Sequence, residues 1–159
     1  MKNTNYLARM IKLTEDFFGA RNDPAQISVN KGEREKLKRL HPFTMLERRT
    51  RKGPIAWALV FPTTEKLMKK FISKEINERE LLRKTPIDAR YEAIYLCSAI
   101  VLPEFRRRGI AKSLLCKAVK SMRRDFPVKY LFYWEFSVAG RRLARVVAKE
   151  FNLPLLRRL

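Results

Sequence analysis

The residues of this chain best suited to chemistry lie in one short basic stretch, residues 106–111, which reads RRRGIA. An apolar run rich in β-branched and aromatic residues (93–102) precedes it and predicts a buried strand. Apolar residues recur at helical spacing from 111 to 122 and predict an amphipathic helix. The first N–H groups of a helix lack partners within it and carry partial positive charge, so this arrangement can bind an anion. Gly109 would let the main chain approach a phosphate, because a Cβ would intrude there.

The composition bounds what the chain can be. Its 159 residues suffice for one domain with a real core, so we expect a single domain over residues 1–159. The net charge of +20 implies attraction to polyanions such as nucleotides, nucleic acid, anionic membranes or acidic substrates. Cys97 and Cys116 lie in apolar stretches and are expected to be reduced core thiols. Two unclustered cysteines and one histidine, His41, argue against a zinc site.

The chain also lacks two kinds of targeting segment. It has no apolar run long enough to span a membrane, and no apolar signal block near its first residues. We therefore expect a cytoplasmic protein without a membrane partner, acting as a monomer or a homodimer.

The elements that must position the basic stretch can be predicted from periodicity. Strand-like runs at 43–49 and 55–61 flank a Lys-Gly turn and predict a β-hairpin with a loop of three to five residues. Two short helical segments follow between about residues 63 and 86. This helical insertion either packs on the surface or closes over the site as a lid.

The last part of the chain predicts two parallel strands. A long aromatic run at 130–138 predicts a strand, and a helical pattern at 143–151 follows it. With the strand at 93–102 and the helix after it, this order is strand–helix–strand–helix, which requires a right-handed crossover. We therefore expect an α/β (α+β) domain with helices on both faces of one mixed sheet.

Residues 101–115 resemble the signature of the GNAT acyltransferases. That family carries Arg/Gln-x-x-Gly-x-Gly/Ala, commonly after a Pro-Glu-aromatic step and before a helix with a Leu-Leu pair; the sequence here reads VLPEFRRRGIAKSLL. The resemblance follows the order of elements from about 55 to 151 and is close in sequence from about 93 to 119. It implies a GNAT-like mixed, mostly antiparallel sheet with a central parallel strand pair.

The resemblance also implies a donor substrate, acetyl-CoA. The family cradles the pyrophosphate of acetyl-CoA with loop N–H groups, and it lays the pantetheine between two splayed parallel strands. Those strands would be 92–102 and 130–138 here, with main-chain groups near Ile100 and Val101 pairing with the pantetheine amides. The residues expected to contact acetyl-CoA are Ile100, Val101, Arg106, Arg107, Arg108, Gly109, Ile110, Ala111, Lys112 and Ser113.

The implied reaction is transfer of an acetyl group from acetyl-CoA to a primary amine, with no metal. The amine must lose a proton before it attacks, and the departing thiolate can take one up. Here the chain departs from the family, because Val146 stands where the family has a Tyr as acid and Glu150 replaces a Gly. The remaining catalytic candidates are two possible carboxylate bases and three hydroxyls: Glu92, Glu135, Tyr95, Tyr133 and Ser137.

Several alternatives stay open at this point. Glu135 is either catalytic or an outward, ion-paired residue, and Tyr95 and Tyr133 are either catalytic or core aromatics. The acceptor amine is not encoded in the motif, although the charge favours an acidic or nucleic-acid-associated acceptor over a polyamine. A different function is a GNAT-like module, weak or inactive as a catalyst, that contacts RNA or another polyanion through its basic surface.

Overall fold

Six α-helices and five strands make up the fold in a computed structural model that describes residues 5–21, 27 and 30–159. In chain order they are α1 (Tyr6–Arg21), α2 (Lys31–Leu40), β1 (Met45–Thr50), β2 (Gly53–Thr63), α3 (Glu65–Ile72), α4 (Glu78–Lys84), β3 (Ala93–Val101), α5 (Ile110–Asp125), β4 (Tyr130–Trp134), α6 (Val138–Phe151) and β5 (Leu155–Arg158). A short 3₁₀ helix, Pro103–Phe105, lies between β3 and α5.

Most helix starts follow from local polar caps. Helices α2, α3, α4 and α6 begin after Asn30, Thr64, Asn77 and Ser137, whose side-chain oxygens accept an N–H of the first turn. Helix α5 differs, because its N-cap is Gly109, which has no side chain to offer. The first-turn N–H groups of α5 are therefore left for another acceptor.

The sheet has the strand order β1-β2-β3-β4-β5. The β1–β2 and β2–β3 pairs are antiparallel and contain most of the paired residues, whereas β3–β4 and β4–β5 are parallel. This confirms the expected mixed, mostly antiparallel sheet with a central parallel pair, and β5 adds a second parallel partner. The hairpin prediction was wrong in its loop length: only Arg51 and Lys52 separate the strands, since pairing extends to Thr50 and Gly53.

The helices cover both faces of the sheet. Helices α5 and α6 pack on one face against alternate β-strand residues such as Ala56, Val60 and Ile94. Helices α1 to α4 pack on the other face, where one apolar cluster includes Phe61 and Tyr95 and a second surrounds Met10 of α1. We call these the α5–α6 face and the α1–α4 face.

The insertion between β2 and β3 is packed into the core. Met68 and Phe71 of α3 and Leu81 and Leu82 of α4 are fully or almost fully buried on the α1–α4 face. In this structure the insertion therefore forms part of the wall of the domain and does not stand over the site as a lid. None of the helices in the described part of the chain has the length and apolarity to cross a bilayer.

A β-bulge interrupts β3. Leu59 pairs with Ser98, but its neighbour Val60 pairs with Leu96, so Cys97 is an extra residue in β3. Leu96 packs on the α5–α6 face before the bulge, and Val101 packs on that face after it.

Candidate active site

The two central parallel strands separate after a short paired segment. Pairing between β3 and β4 runs only from Ala93–Tyr130 to Tyr95–Phe132. Beyond this point β4 continues to pair with β5, and β3 continues to pair with β2. The facing edges of β3 and β4 therefore border a gap. An extended molecule with amide groups can bind to such an edge as an added strand does.

The direction of the main chain decides which residues of β3 face this gap. Leu102 N donates to Ile55 O at 2.9 Å, so the main chain of Leu102 faces β2. Successive residues direct their main-chain groups to alternate edges, so Val101 faces the gap and Ile100 faces β2. Arg106 Nε donates to Val101 O at 3.0 Å and ties the loop to the end of the strand. Of the two positions expected to pair with pantetheine, the structure presents Val101 to the gap and turns the main chain of Ile100 away.

The loop between β3 and α5 is shaped as an anion site. Arg107 and Gly109 both have left-handed backbone conformations, with φ of 64° and 76°. Ser113 N donates to Gly109 O at 2.9 Å, so the N–H groups of residues 109–112 precede the hydrogen-bond ladder of α5. The first turn of α5 contains no acidic residue. A Cβ placed on Gly109 would meet no atom within 4 Å and would project into the open space that a bound group needs.

The side chains of this loop make few contacts that would block an anion. Arg107 and Arg108 are exposed, and Arg108 lies over the Phe105 ring at 5.4 Å. Farther along α5, Lys112 Nζ is 3.8 Å from Glu150 of α6, and Ser113 Oγ accepts a hydrogen bond from Arg48 at 3.2 Å. The charges of the loop thus surround the helix start, while Lys112 and Ser113 are held by side chains of neighbouring elements.

Helix α1 is anchored on the same loop. Both Arg9 terminal nitrogens donate to the Glu104 carboxylate, at 2.7 and 2.6 Å. The Tyr6 ring packs edge-on against Phe105 with centroids 5.9 Å apart. The Arg9 hydrogen bonds hold the pKa of Glu104 down at about 2. This contact was not predicted from the sequence, because its partners lie 95 residues apart.

Tyr133 and Glu135 form a polar pair beside the gap. Tyr133 is 5% exposed and donates from its hydroxyl to Glu135 Oε1 at 2.9 Å. Burial, reinforced by this hydrogen bond, raises the pKa of Tyr133. The pKa of Glu135 is lowered, first by the Tyr133 hydrogen bond and then by Arg157 and Arg141, which lie 3.4 and 4.0 Å from Oε1. At neutral pH the pair is thus a protonated phenol held by an ionised, ion-paired carboxylate.

The other catalytic candidates are not brought to the gap in a reactive setting. Glu92 precedes β3 at the closed end of the strand pair, where Oε1 accepts from Glu65 N at 3.3 Å. Tyr95 is fully buried, stacks on Phe132 and donates to the Glu78 carboxylate. Glu92 and Tyr95 therefore have structural partners, and both lie at the paired end of the two strands, before the gap opens.

Ser137 and Val146 lie on or beside α6. Ser137 is exposed and accepts from Gly140 N at 3.0 Å as the N-cap of the helix, so its hydroxyl proton remains available. Val146 is 44% exposed and supplies no proton. Among the predicted hydroxyls, Tyr133 thus combines a place on β4 with a fixed partner.

Glu78 is a buried carboxylate that the sequence did not single out. It begins α4, has no exposed surface, and accepts from Ile27 N at 2.9 Å and from the Tyr95 hydroxyl. Cys97, the bulge residue, lies with its Sγ 3.6 Å from Glu78 Oε2. Glu78 therefore joins the insertion to β3 at the point where the gap opens. An acidic residue at a helix start has an ordinary explanation as a dipole partner, so its sequence context gave no signal.

A cleft of about 820 Å³ opens on the α1–α4 face. Its floor includes Trp57 of β2 and Ser98 and Ile100 of β3, so it lies against the strand that borders the gap. We call it the α1–α2 cleft. It is lined by Ile11, Thr14, Glu15, Arg34, Lys38, Met45, Leu46, Glu47, Trp57, Ala58, Leu59, Ser98 and Ile100.

Metal chemistry has no obvious centre in the described ranges 5–21, 27 and 30–159, where no group of three or more His, Cys, Asp or Glu side chains could hold an ion. His41 is buried at the end of α2. Its Nδ1 accepts from Phe43 N at 3.1 Å, and Nε2 lies 2.7 Å from Asp125 Oδ2. This histidine joins α2 to the end of α5 and lies outside the gap.

The family of the chain follows from comparison with known proteins. Residues 8–151 match the model of the Acetyltransferase (GNAT) family. The match covers most of the chain, including the gap and the loop before α5. The chain therefore belongs to the GNAT acetyltransferase family. No individual curated protein is similar enough in sequence to register as a match.

Two solved structures are similar to this chain at low sequence identity. Naa20 of Chaetomium thermophilum, in complex with a bisubstrate analogue, is 13% identical, with a TM-score of 0.52 over 93% of this chain and 67% of that one. The ribosomal-protein-alanine N-acetyltransferase of Brucella melitensis biovar Abortus 2308 is 17% identical, with a TM-score of 0.41. That match covers 64% of this chain and 61% of the other, so it spans less than two thirds of that protein.

Proposed function

We propose that this chain is an N-acetyltransferase that moves the acetyl group of acetyl-CoA to a primary amine. The observation that carries the proposal is the junction of β3 and α5, where a strand edge borders a gap and leads directly into unpaired N–H groups at a helix start. The N–H groups of residues 109–112 would hold the pyrophosphate, assisted by the charges of Arg107 and Arg108. The gap edge at Val101 would receive the pantetheine amides.

The two faces of the sheet suggest how donor and acceptor meet. The loop and α5 approach the gap from the α5–α6 face, and the α1–α2 cleft reaches β3 from the α1–α4 face. Ser98 and Ile100 line the cleft and flank Ala99, which packs on the α5–α6 face. The two substrates would thus bind on either side of β3, and the reacting amine would have to extend from the cleft past the edge of this strand to reach a thioester in the gap.

Direct transfer of the acetyl group requires two proton movements, one from the acceptor amine and one to the departing thiolate. The acceptor nitrogen loses a proton to solvent water and then forms a bond to the acetyl carbon as the carbon–sulfur bond breaks. The departing thiolate takes up a proton, which Tyr133 can supply because its phenol is protonated at neutral pH, and the phenol then recovers a proton from solvent. Glu135 is ionised and accepts from Tyr133, so its proposed role is to position that hydroxyl. Acetyl-CoA supplies the activated acetyl group.

The proposal is tested by acetyl-CoA binding to the native protein and to Gly109→Trp, measured by calorimetry. The indole would fill the open space before α5, so we expect the affinity to fall by about a hundredfold or more, as when a phosphate site is blocked outright. Gly32→Trp, in the exposed first turn of α2, is the matched control and should bind normally.

Turnover on a panel of primary amines completes this test. If the native protein shows no saturable acetyl-CoA binding and no turnover, the proposal fails. RNA binding that persists under those conditions, weakens with salt and ignores acetyl-CoA would favour the polyanion-binding module instead.

A further inference from the structure

The charged side chains of the α1–α2 cleft indicate which kind of amine the cleft can bind. We infer that the cleft binds a primary amine that also carries an anionic group, a carboxylate or a phosphate, on its non-reacting end. This inference rests on the proposed acetyl transfer for the identity of the reacting amine. The cleft chemistry itself rests on four charged side chains.

Two cations form one wall of the cleft. Arg34 and Lys38 lie one helical turn apart on α2, and both line the cleft. Within residues 5–21, 27 and 30–159, neither has a carboxylate at ion-pair distance. Their neighbour Lys36 points elsewhere and donates to Arg83 O at 3.2 Å. Two uncompensated cations on the wall of a cleft favour an anion between them.

Two carboxylates line the remaining walls. Glu15 of α1 has no ion-pair partner in the part of the chain that the structure describes. Glu47 of β1 is fixed, because Oε1 accepts from Trp57 Nε1 at 2.8 Å and Oε2 pairs with Arg49 at 3.1 Å. Glu47, Trp57 and Ile100 are register partners across β1, β2 and β3, so Glu47 lies at the β1 side of the cleft, two strands from Ile100.

This distribution sets the orientation of a bound molecule. The reacting amine must lie at the β3 side of the cleft, because β3 borders the gap. Glu15 belongs to α1, which packs on Ile100 of β3, and its carboxylate offsets the repulsion between an incoming ammonium and a chain of net charge +20. The opposite end of the molecule then meets Arg34 and Lys38, because α2 packs more closely on β2 than on β3. A second amine there would be repelled, and a neutral end would leave both cations without a counter-charge.

An amine with an anionic far end occurs in two forms with the same chemistry. One is a small zwitterion, and the other is a peptide with a free amino terminus and an acidic side chain. The experiment uses both: γ-aminobutyrate against its amide, and a tripeptide amide with glutamate at its second position against its glutamine counterpart. Calorimetric binding and acetylation rates are measured for each pair at fixed ionic strength.

We expect the acidic member of at least one pair to bind about tenfold more tightly and to be acetylated with a correspondingly higher kcat/KM. The double variant Arg34→Glu/Lys38→Glu should abolish or invert that preference. The matched control is Lys31→Glu/Arg39→Glu, which makes the same change in net charge at exposed positions of α2 that do not line the cleft. The control should keep the native preference, and the thermal midpoints of both variants verify folding.

The outcomes separate this inference from the proposed function. Equal binding and turnover of acidic and neutral members would overturn the inference and leave acetyl transfer intact. A preference that falls equally in the double variant and in its control would also overturn it, because the net charge alone would then explain it. A preference that depends on Arg34 and Lys38 without any acetylation would support the ligand chemistry of the cleft and contradict the transferase proposal.

Discussion

The loop before α5 and the α1–α2 cleft border the same strand but are built in different ways. The loop uses main-chain groups from a few consecutive residues, and its geometry depends on two left-handed positions and one Arg106–Val101 hydrogen bond. The cleft uses side chains from α1, α2, β1, β2 and β3, spread between Ile11 and Ile100. A site made of main-chain groups requires particular residues within one short stretch of sequence, which appears as a motif. A site made of side chains from distant elements is brought together only by the fold, so it has no motif in the sequence.

This contrast also explains why one region can be shared and the other varied. The N–H groups at the start of α5 can donate to an anion whatever side chains surround them. The cleft changes its charge with any substitution at its charged positions, without disturbing the core. A family can therefore keep one donor and take many acceptors. The following variants test where the two regions depend on each other.

The largest effect is expected at Glu78, which supports β3 beneath both regions. Glu78→Gln keeps the size of the side chain but weakens the hydrogen bonds from Ile27 N and the Tyr95 hydroxyl. Because these groups are buried, we expect a loss of about 1–3 kcal/mol in the free energy of unfolding, measured by urea denaturation. Glu75→Gln, on the exposed turn before α4, should be nearly neutral. A neutral Glu78→Gln would mean that the cluster does not support the strand.

A smaller effect, confined to the donor side, is expected at Tyr133. Tyr133→Phe should lower kcat about tenfold with little change in KM, below the usual range for general acids because a thiolate is a good leaving group. Tyr130→Phe, at the closed end of β4, is the control and should retain full activity. An unchanged kcat in Tyr133→Phe would remove this tyrosine from the mechanism.

The pH profile gives an independent check on the Tyr133–Glu135 pair. Tyr133 must stay protonated to act as an acid, and its raised pKa extends activity to higher pH. Burial is the larger cause of that shift, and Glu135 adds to it. Glu135→Gln should therefore move the alkaline limb of kcat to lower pH. If the alkaline limb of kcat stays at the same pH in Glu135→Gln, the Tyr133–Glu135 pair does not determine the pH dependence of kcat.

The smallest effect is expected at the Arg9–Glu104 pair, which connects α1 to the loop. The pKa of Glu104 is lowered to about 2 by Arg9, so its contribution to stability is present above its ordinary pKa near ~4.3 and is lost as the pH falls toward about 2. The thermal midpoint of Glu104→Gln should thus lie below that of the native protein at pH 6 and converge with it near pH 2. The swap Arg9→Glu/Glu104→Arg should restore most of the lost thermal midpoint. A difference in thermal midpoint between native protein and Glu104→Gln that stays the same from pH 6 to pH 2 would exclude the ion pair as its cause.

Local patterns explain what the sequence could predict. The strand, loop and helix around Gly109 follow from periodicity and one glycine, and the cap at Asn77 is encoded within four residues. The roles of Glu92 and Tyr95 could not be assigned, because they depend on contacts with Glu65 and Glu78 in the insertion. The cleft has the same origin, since nothing in the sequence brings α1 and α2 to the same strands.

The bulge at Cys97 determines whether odd- or even-numbered side chains in the second half of β3 face α5 and α6. Before it, even-numbered side chains such as Leu96 face α5 and α6; after it, the odd-numbered Val101 does so and Ile100 turns toward α1. If Cys97 instead took a regular place in the pairing with β2, plain alternation would exchange the two faces of every following position. The Val101 carbonyl would then turn away from the gap, and Ile100 would leave the cleft floor. A single inserted residue therefore determines which face of the sheet each following side chain of this strand occupies.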